Sequence, residues 1–326
     1  MNKKLFLFFI AIIVSMTMAF VSCGDDDSGD ANGGTPTSVL KDKDGNPVRL
    51  LSVGDGWYEY NQDGRIVRFG NSKYSYAVTG DTFSDDGSTL SFKFGMNSKG
   101  LITSLTMEYD AIDPIYERIK GSGTLSYSYD SNNQLTGITQ TYTADIYNGK
   151  GTATHEATLN NTWKDGNLVN IALITKDVEP DYNGTIEQNW TISYGSLTNI
   201  VRQFPLQLGN DATSITEEAG FGLLCLVGLF GLGPVNLPSR MTTETIEDSK
   251  ERGQEARHWW SRHNYTFEFT QNSNGTIDTE KIDSNTYAYY VYDETRSAFS
   301  GQGAAMDMNI LPNIESIIKM FHHKKR

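Results

Sequence analysis

The sequence predicts a mainly β protein, an antiparallel hairpin meander forming a curved, barrel-like sheet. Two observations carry that prediction. Polar and apolar residues alternate with period two over most of the chain, as in strands buried on one face and wet on the other. Residue pairs that tolerate positive φ separate the alternating runs. A third observation, an almost wholly apolar body near residues 215–231, supplies a helix for the curved sheet to enclose.

In chain order, residues 1–22 read as an export signal and not as fold. Lys3 and Lys4 give a basic start, and Leu5 to Val14 run without charge. That stretch falls short of the about 20 apolar residues a spanning helix needs. Phe20-Val21-Ser22 leads into Cys23, and a small residue directly before a cysteine here resembles the lipobox of bacterial lipoproteins. The resemblance implies that Cys23 is diacylated and becomes the mature N-terminus, each buried methylene contributing about 0.8 kcal/mol to anchoring. Gly24-Asp25-Asp26-Asp27 resembles the surface-export signal of Bacteroidetes lipoproteins and implies display outside the cell; otherwise these acids are the solvated start of a tether. Residues 23–38, with Gly29, Gly33, Gly34 and Pro36, are a flexible leash, which leaves 39–326 as a single domain.

Within that domain Leu125 to Tyr129, Ile186 to Tyr194 and Tyr265 to Thr270 each place large residues on one face and small polar ones on the other. Asp44-Gly45, Asp63-Gly64, Lys99-Gly100, Asn132-Asn133, Asp165-Gly166 and Asn274-Gly275 mark the hairpin turns. A loose repeat joins the two signals, an aromatic leading into a turn and then an aliphatic strand, as in residues 60–69, 129–138 and 163–171. Gly64, Gly100, Asn133 and Gly166 fall 36, 33 and 33 residues apart, about the length of a strand pair with its connections.

Two stretches depart from the β pattern. Ser214-Ile215-Thr216-Glu217 has the form of a capping box and predicts a helix running through Gly220 to Phe230 and stopping at Gly231, Gly233 and Pro234. Its apolar body of fourteen residues is too short to span a bilayer and fits the concave side of the sheet. Asn313 to Phe321, with Ile314, Ile317, Ile318 and Phe321 at helical spacing, predicts a short C-terminal helix.

The aromatic-turn-aliphatic hairpins, the segment rich in Gly and Leu, and Gly233 to Arg240 resemble an uncharacterised Bacteroidetes lipoprotein family with a porin-like fold. That resemblance implies a barrel-like sheet over about residues 40–300 and no catalytic residues. The hairpins also resemble YD-type repeats of bacterial surface shells, though the pair recurs only at Tyr109-Asp110, Tyr129-Asp130 and Tyr292-Asp293. A chain already held by lipid gains little from a membrane barrel of its own, so a soluble, closed or nearly closed sheet is the expectation.

Composition narrows the partners. The whole chain carries a formal charge of −13; residues 1–22 contain two lysines and no acids, so their removal leaves 25 basic against 40 acidic residues, or −15. Nucleic acid is excluded as a partner on that balance, and the bulk stands off an anionic membrane on its leash. With Cys23 acylated, Cys225 has no disulfide partner. No cofactor or metal is expected, since the chain holds no CxxC, HExxH, GxSxG or phosphate loop. His155 and Glu156 are neighbours on a strand, hence on opposite faces, and read as a surface pair.

Binding is the function class that composition favours, and no enzyme activity is expected. Glycan rings stack on Trp and Tyr while amides and carboxylates meet their hydroxyls. Trp57, Trp259 and Trp260, beside turns or loops, are the candidate contacts, with His258 in the same polar-aromatic cluster; Trp163 and Trp190 are read as core. The alternatives are a carrier of a small apolar ligand inside the sheet, a structural component of an envelope complex and, last, a glycoside hydrolase.

Overall fold

The structure, a computed structural model, describes residues 40–292 apart from 63, 72–74, 80, 86–90, 112–118, 147–150 and 214–221. Alternation builds the strands in sequence: β1 (Leu50–Val53), β2 (Gly56–Tyr60), β3 (Ile66–Gly70), β4 (Ser75–Thr79), β5 (Thr82–Asp85), β6 (Ser91–Met96), β7 (Ile102–Ala111) and β8 (Ile119–Tyr129). They continue as β9 (Leu135–Ile146), β10 (Gly151–Lys164), β11 (Asn167–Glu179) and β12 (Tyr182–Thr198). After two helices, α1 (Leu206–Thr213) and α2 (Gly222–Leu226), come β13 (Asn236–Glu251), β14 (Arg257–Gln271), β15 (Ile277–Ile282) and β16 (Asn285–Tyr292).

Each strand pairs antiparallel with the next, and β1 pairs with both β2 and β16, so the meander closes into a barrel. Closure removes the free edges that a sheet of this width would otherwise expose. The wall is uneven. β1 has 4 residues and β12 has 17, which at about 3.3 Å per residue is roughly 13 Å of strand against about 55 Å.

Alternation also decides which face is wet. Along β10, Ala153, His155, Ala157, Leu159 and Asn161 are buried inside, while Thr152, Glu156, Thr158, Asn160 and Thr162 are exposed outside. On β12, Trp190 and Ile192 face in and Asn183, Glu187, Asn189, Thr191 and Ser193 face out. A barrel bathed in acyl chains needs apolar side chains at those outward positions. The outer surface of these strands is dressed for water.

Five turns at one end of the barrel share one geometry. In residues 42–46, 61–65, 97–101, 130–134 and 272–276, the first residue donates its N–H to the carbonyl of the fifth and accepts the N–H of the fourth. The fourth residue has φ of +85, +77, +77, +61 and +89° in these turns, which Gly or Asn adopts at least cost. The Asp or Asn that opens the first four also accepts the fifth residue's N–H through its side chain.

The aromatic of the sequence repeat does not serve its own turn. It reaches back to the preceding hairpin. Tyr60 Oη donates to the Leu50 carbonyl, Tyr129 to Ile102, Trp163 Nε1 to Leu135 and Tyr194 to Leu168, at 2.9, 2.5, 2.8 and 2.7 Å. All four carbonyls belong to fully buried aliphatics. An unmet buried carbonyl costs about 1–3 kcal/mol, so each aromatic both fills the core and ties one hairpin to the next.

The segment between β12 and β13 enters the barrel and fills it. Tyr58 of β2 donates to the Leu223 carbonyl at 2.6 Å, and Ile102 N–H of β7 to the Leu229 carbonyl at 2.9 Å. Tyr127 of β8 stacks on Phe230 with ring centres 4.6 Å apart, and Trp163 of β10 meets Phe204 edge-on at 6.2 Å. Asn161 of β10 donates to the Ala212 carbonyl at 3.1 Å, and Tyr292 of β16 to Gln203 Oε1 at 2.8 Å. Contacts from strands all round the wall place this segment at the centre.

The enclosed apolar body is therefore present, but not as the single helix predicted from Ser214 to Phe230. A helical turn is already in place at Leu206, upstream of the predicted start; residues 214–217 lie outside those described. Downstream, α2 ends at Leu226, because Gly228 and Gly231 take φ of +81 and +94° and turn the chain back on itself. The predicted C-terminal helix at 313–321 also lies outside the described residues.

A strand side chain caps α1. Glu280 of β15 accepts Leu206 N–H at 2.9 Å and Gln207 N–H at 3.4 Å, and Tyr290 Oη donates to the same carboxyl at 2.6 Å. One turn along, Gln207 Nε2 donates to Asp211 at 3.0 Å. Burial outweighs these hydrogen bonds and raises Glu280 to about 7; burial likewise raises Asp211 to about 7, helped by the charge of Glu280.

Two expectations follow from this core. Folded-state values above the unfolded carboxyl range mean that the stability tied to these groups is complete below about pH 4.5 and is lost as pH rises through about 7. Glu280→Gln should flatten the decline in urea midpoint between pH 5 and 8 relative to the unaltered chain. Gly231→Ala should lower stability by about 3 kcal/mol or more, measured by the same denaturation, because a Cβ there overlaps the Asn133 carbonyl and φ is left-handed.

Candidate functional site

The tall wall presents two chemically different faces. Outside, the cross-strand pairs that join β13 to β14 include Asp248 with His258, Ile246 with Trp260, and Glu244 with Arg262. His258 Nδ1 lies 2.8 Å from Asp248 Oδ1, and Arg262 Nη1 lies 3.4 Å from Glu244 Oε1. Exposed pairs of this kind contribute little to stability, about 0–1 kcal/mol each, but they brace the strands on either side of Trp260. The indole is 56% exposed, with Ile246 as its cross-strand neighbour. A rigid sheet thus holds one flat apolar surface open to solvent, bordered by hydrogen-bonding groups.

Adjoining this surface is a groove of about 250 Å³ across β11, β12 and β13. Lys176, Thr185 and Asp248 form one cross-strand row, and Val178, Asn183 and Lys250 the next row on the same outward face. Ala256 and Arg257 close one end.

The inward face of the same strands is acidic and aromatic. Asp177, Gly184, Ser249 and Arg257 share one row; Glu179, Tyr182 and Glu251 share the next. Trp259 pairs with Glu247 on this face and is 40% exposed. Burial raises Glu179 to about 7, with the Asp177 charge adding to it. Burial also raises Tyr182, and the carboxylates of Glu247, Asp177, Glu179 and Glu251 add to the effect. His155 Nδ1 meets Asp177 Oδ1 at 2.6 Å, the imidazole being 6% exposed.

These positions sort the sequence-predicted residues. Trp259 and Trp260, neighbours in sequence, point to opposite faces of the sheet and cannot share a ligand; strand alternation separates them. His258 does share the outer face with Trp260. Trp57 stands on β2, four strands round the barrel from β14, half-buried with the Arg68 guanidinium 5.8 Å over its ring. Trp190 belongs to the core as expected, and Trp163, half-buried, packs against it. His155 is a correction: it and Glu156 do point apart, but the histidine is buried against Asp177 and is no surface residue. Cys23, Gly24 and Asp25 to Asp27 lie outside the described residues. The groove lysines were missed, because residues 74 positions apart in sequence become neighbours only through strand register.

No protein-family model matches the chain, and no curated protein resembles it in sequence. Among solved structures, it is similar to a porin-like protein from Bacteroides vulgatus, with 14% identity and a TM-score of 0.44 over 76% of this chain and 98% of that one. It is also similar to a porin-like protein from Bacteroides uniformis, with 14% identity and a TM-score of 0.40 over 75% of this chain and 92% of the other.

Proposed function

We propose that this chain is a lipid-tethered bacterial surface protein that binds an extracellular glycan without transforming it, using the outer face of β11–β14. The observation that carries the reading is Trp260. A large indole, more exposed than any other large apolar side chain among the described residues and set between the Asp248–His258 and Glu244–Arg262 pairs, suits the apolar face of a sugar ring, and the flanking polar side chains suit its hydroxyls. The carrier reading lacks such support, because Leu224, Leu226, Leu229 and Phe230 stand fully buried in the space an apolar ligand would need. The tether rests on the lipobox-like residues that end in Cys23.

Trp260→Ala should weaken retention on a polysaccharide panel by about tenfold, the equivalent of roughly 1.4 kcal/mol of stacking. Trp259→Ala, on the opposite face, should leave retention unchanged. Equal retention by the Trp260 variant and the unaltered chain removes the assignment. For the anchor, mass spectrometry of membrane-extracted protein should find diacylglycerol on Cys23, and Cys23→Ala should move the protein to the soluble fraction; an unmodified thiol on membrane-bound protein refutes the lipid tether.

A further inference from the structure

The groove beside Trp260 deepens that reading, on which the following rests, by selecting a class of glycan. On the outer face it offers two cations, Lys176 and Lys250, against the lining carboxylate Asp248; Glu156 of β10 stands opposite Lys176 in register without an ion pair to it, and Arg257 and Asp177 point to the inward face. The groove thus lacks the acidic excess of the chain as a whole, whose formal charge is −13. Asp248 is already engaged, its Oδ1 lying 2.8 Å from His258 Nδ1. The side chains of Lys176 and Lys250 make no hydrogen bond or ion pair among the described residues, whereas Lys93, Arg252, Arg262 and Lys281 each have an acidic partner. An anion entering the groove therefore displaces no existing partner of either lysine.

Register fixes the backbone positions from which the two lysines reach. Lys176 on β11 and Lys250 on β13 lie in adjacent rows of the outer face, two strands apart, or about 10 Å across the sheet. Side chains of their length converge on one anionic group between them or hold charges on neighbouring sugars. Asn183 and Thr185, from the intervening strand β12, offer an amide and a hydroxyl on the same floor. Trp260 stands one row beyond the Asp248–His258 pair.

We propose that this groove is an anionic subsite and that the glycan bound at Trp260 carries acidic groups, with Lys176 and Lys250 as the residues that select for them. The test compares polygalacturonate, dextran sulfate and neutral dextran by affinity electrophoresis of the full barrel. The unaltered chain should retain at least one of the two polyanions about tenfold more tightly than dextran, with retention falling as salt rises. The double variant Lys176→Ala, Lys250→Ala should lose that preference, and Lys176→Arg, Lys250→Arg should keep it. Carboxylate and sulfate are told apart by which polyanion is retained, and either one supports the subsite. Equal retention of neutral dextran, or a polyanion preference unchanged in the alanine double variant, overturns the subsite while leaving the role of Trp260 standing. Retention of no polysaccharide at all removes both.

Discussion

A sixteen-strand ring is wider than its own inward side chains can fill, and the rest of this structure answers that constraint. The crossing between β12 and β13 carries the missing volume into the centre, and wall residues from β2, β7, β8, β10 and β16 grip it by hydrogen bonds or ring contacts. Backbone polar groups brought inside must be met, and here they are met by the wall: the Leu223 carbonyl by Tyr58, the Ala212 carbonyl by Asn161, the first amides of α1 by Glu280. Burying that carboxyl is the cost of the arrangement, and it makes the core sensitive to pH.

The repeat in the sequence acquires a physical meaning from the same packing. Each aromatic before a turn satisfies a carbonyl on the hairpin behind it, and three of those carbonyls, on Ile102, Leu135 and Leu168, are 33 residues apart. Spacing is conserved within the chain because one hairpin must advance the wall by one strand pair before the next aromatic can reach back. The tight turns at that end hold the strand ends in register.

Strand alternation then gives the tall wall two separate chemistries. Outside stand Trp260, the Asp248–His258 and Glu244–Arg262 pairs beside it and the lysine groove; inside stand Trp259, Tyr182 and a cluster of carboxylates. A single residue of slip in β14 would exchange Trp259 for Trp260 and move the indole from solvent to the acidic interior. Long pairing of β13 with β14, from Arg240–Thr266 to Ser249–Arg257, is what prevents it.

Local chemistry alone determined the strands, the turns and the presence of an enclosed apolar body, because alternation and positive φ are properties of neighbouring residues. It placed Trp163 and Trp190 in the core for the same reason. Three features waited for the tertiary structure: closure of the sheet, the helix α1, and the meeting of Lys176 with Lys250. Closure depends on β1 meeting β16 across more than 230 residues, and α1 begins where it does because Glu280, 74 residues downstream, caps it. His155 was misplaced on the surface because its partner, Asp177, comes from the next strand. Adjacent residues report their own period and turn preference; which distant residues they meet is set only when register and closure fix every strand at once.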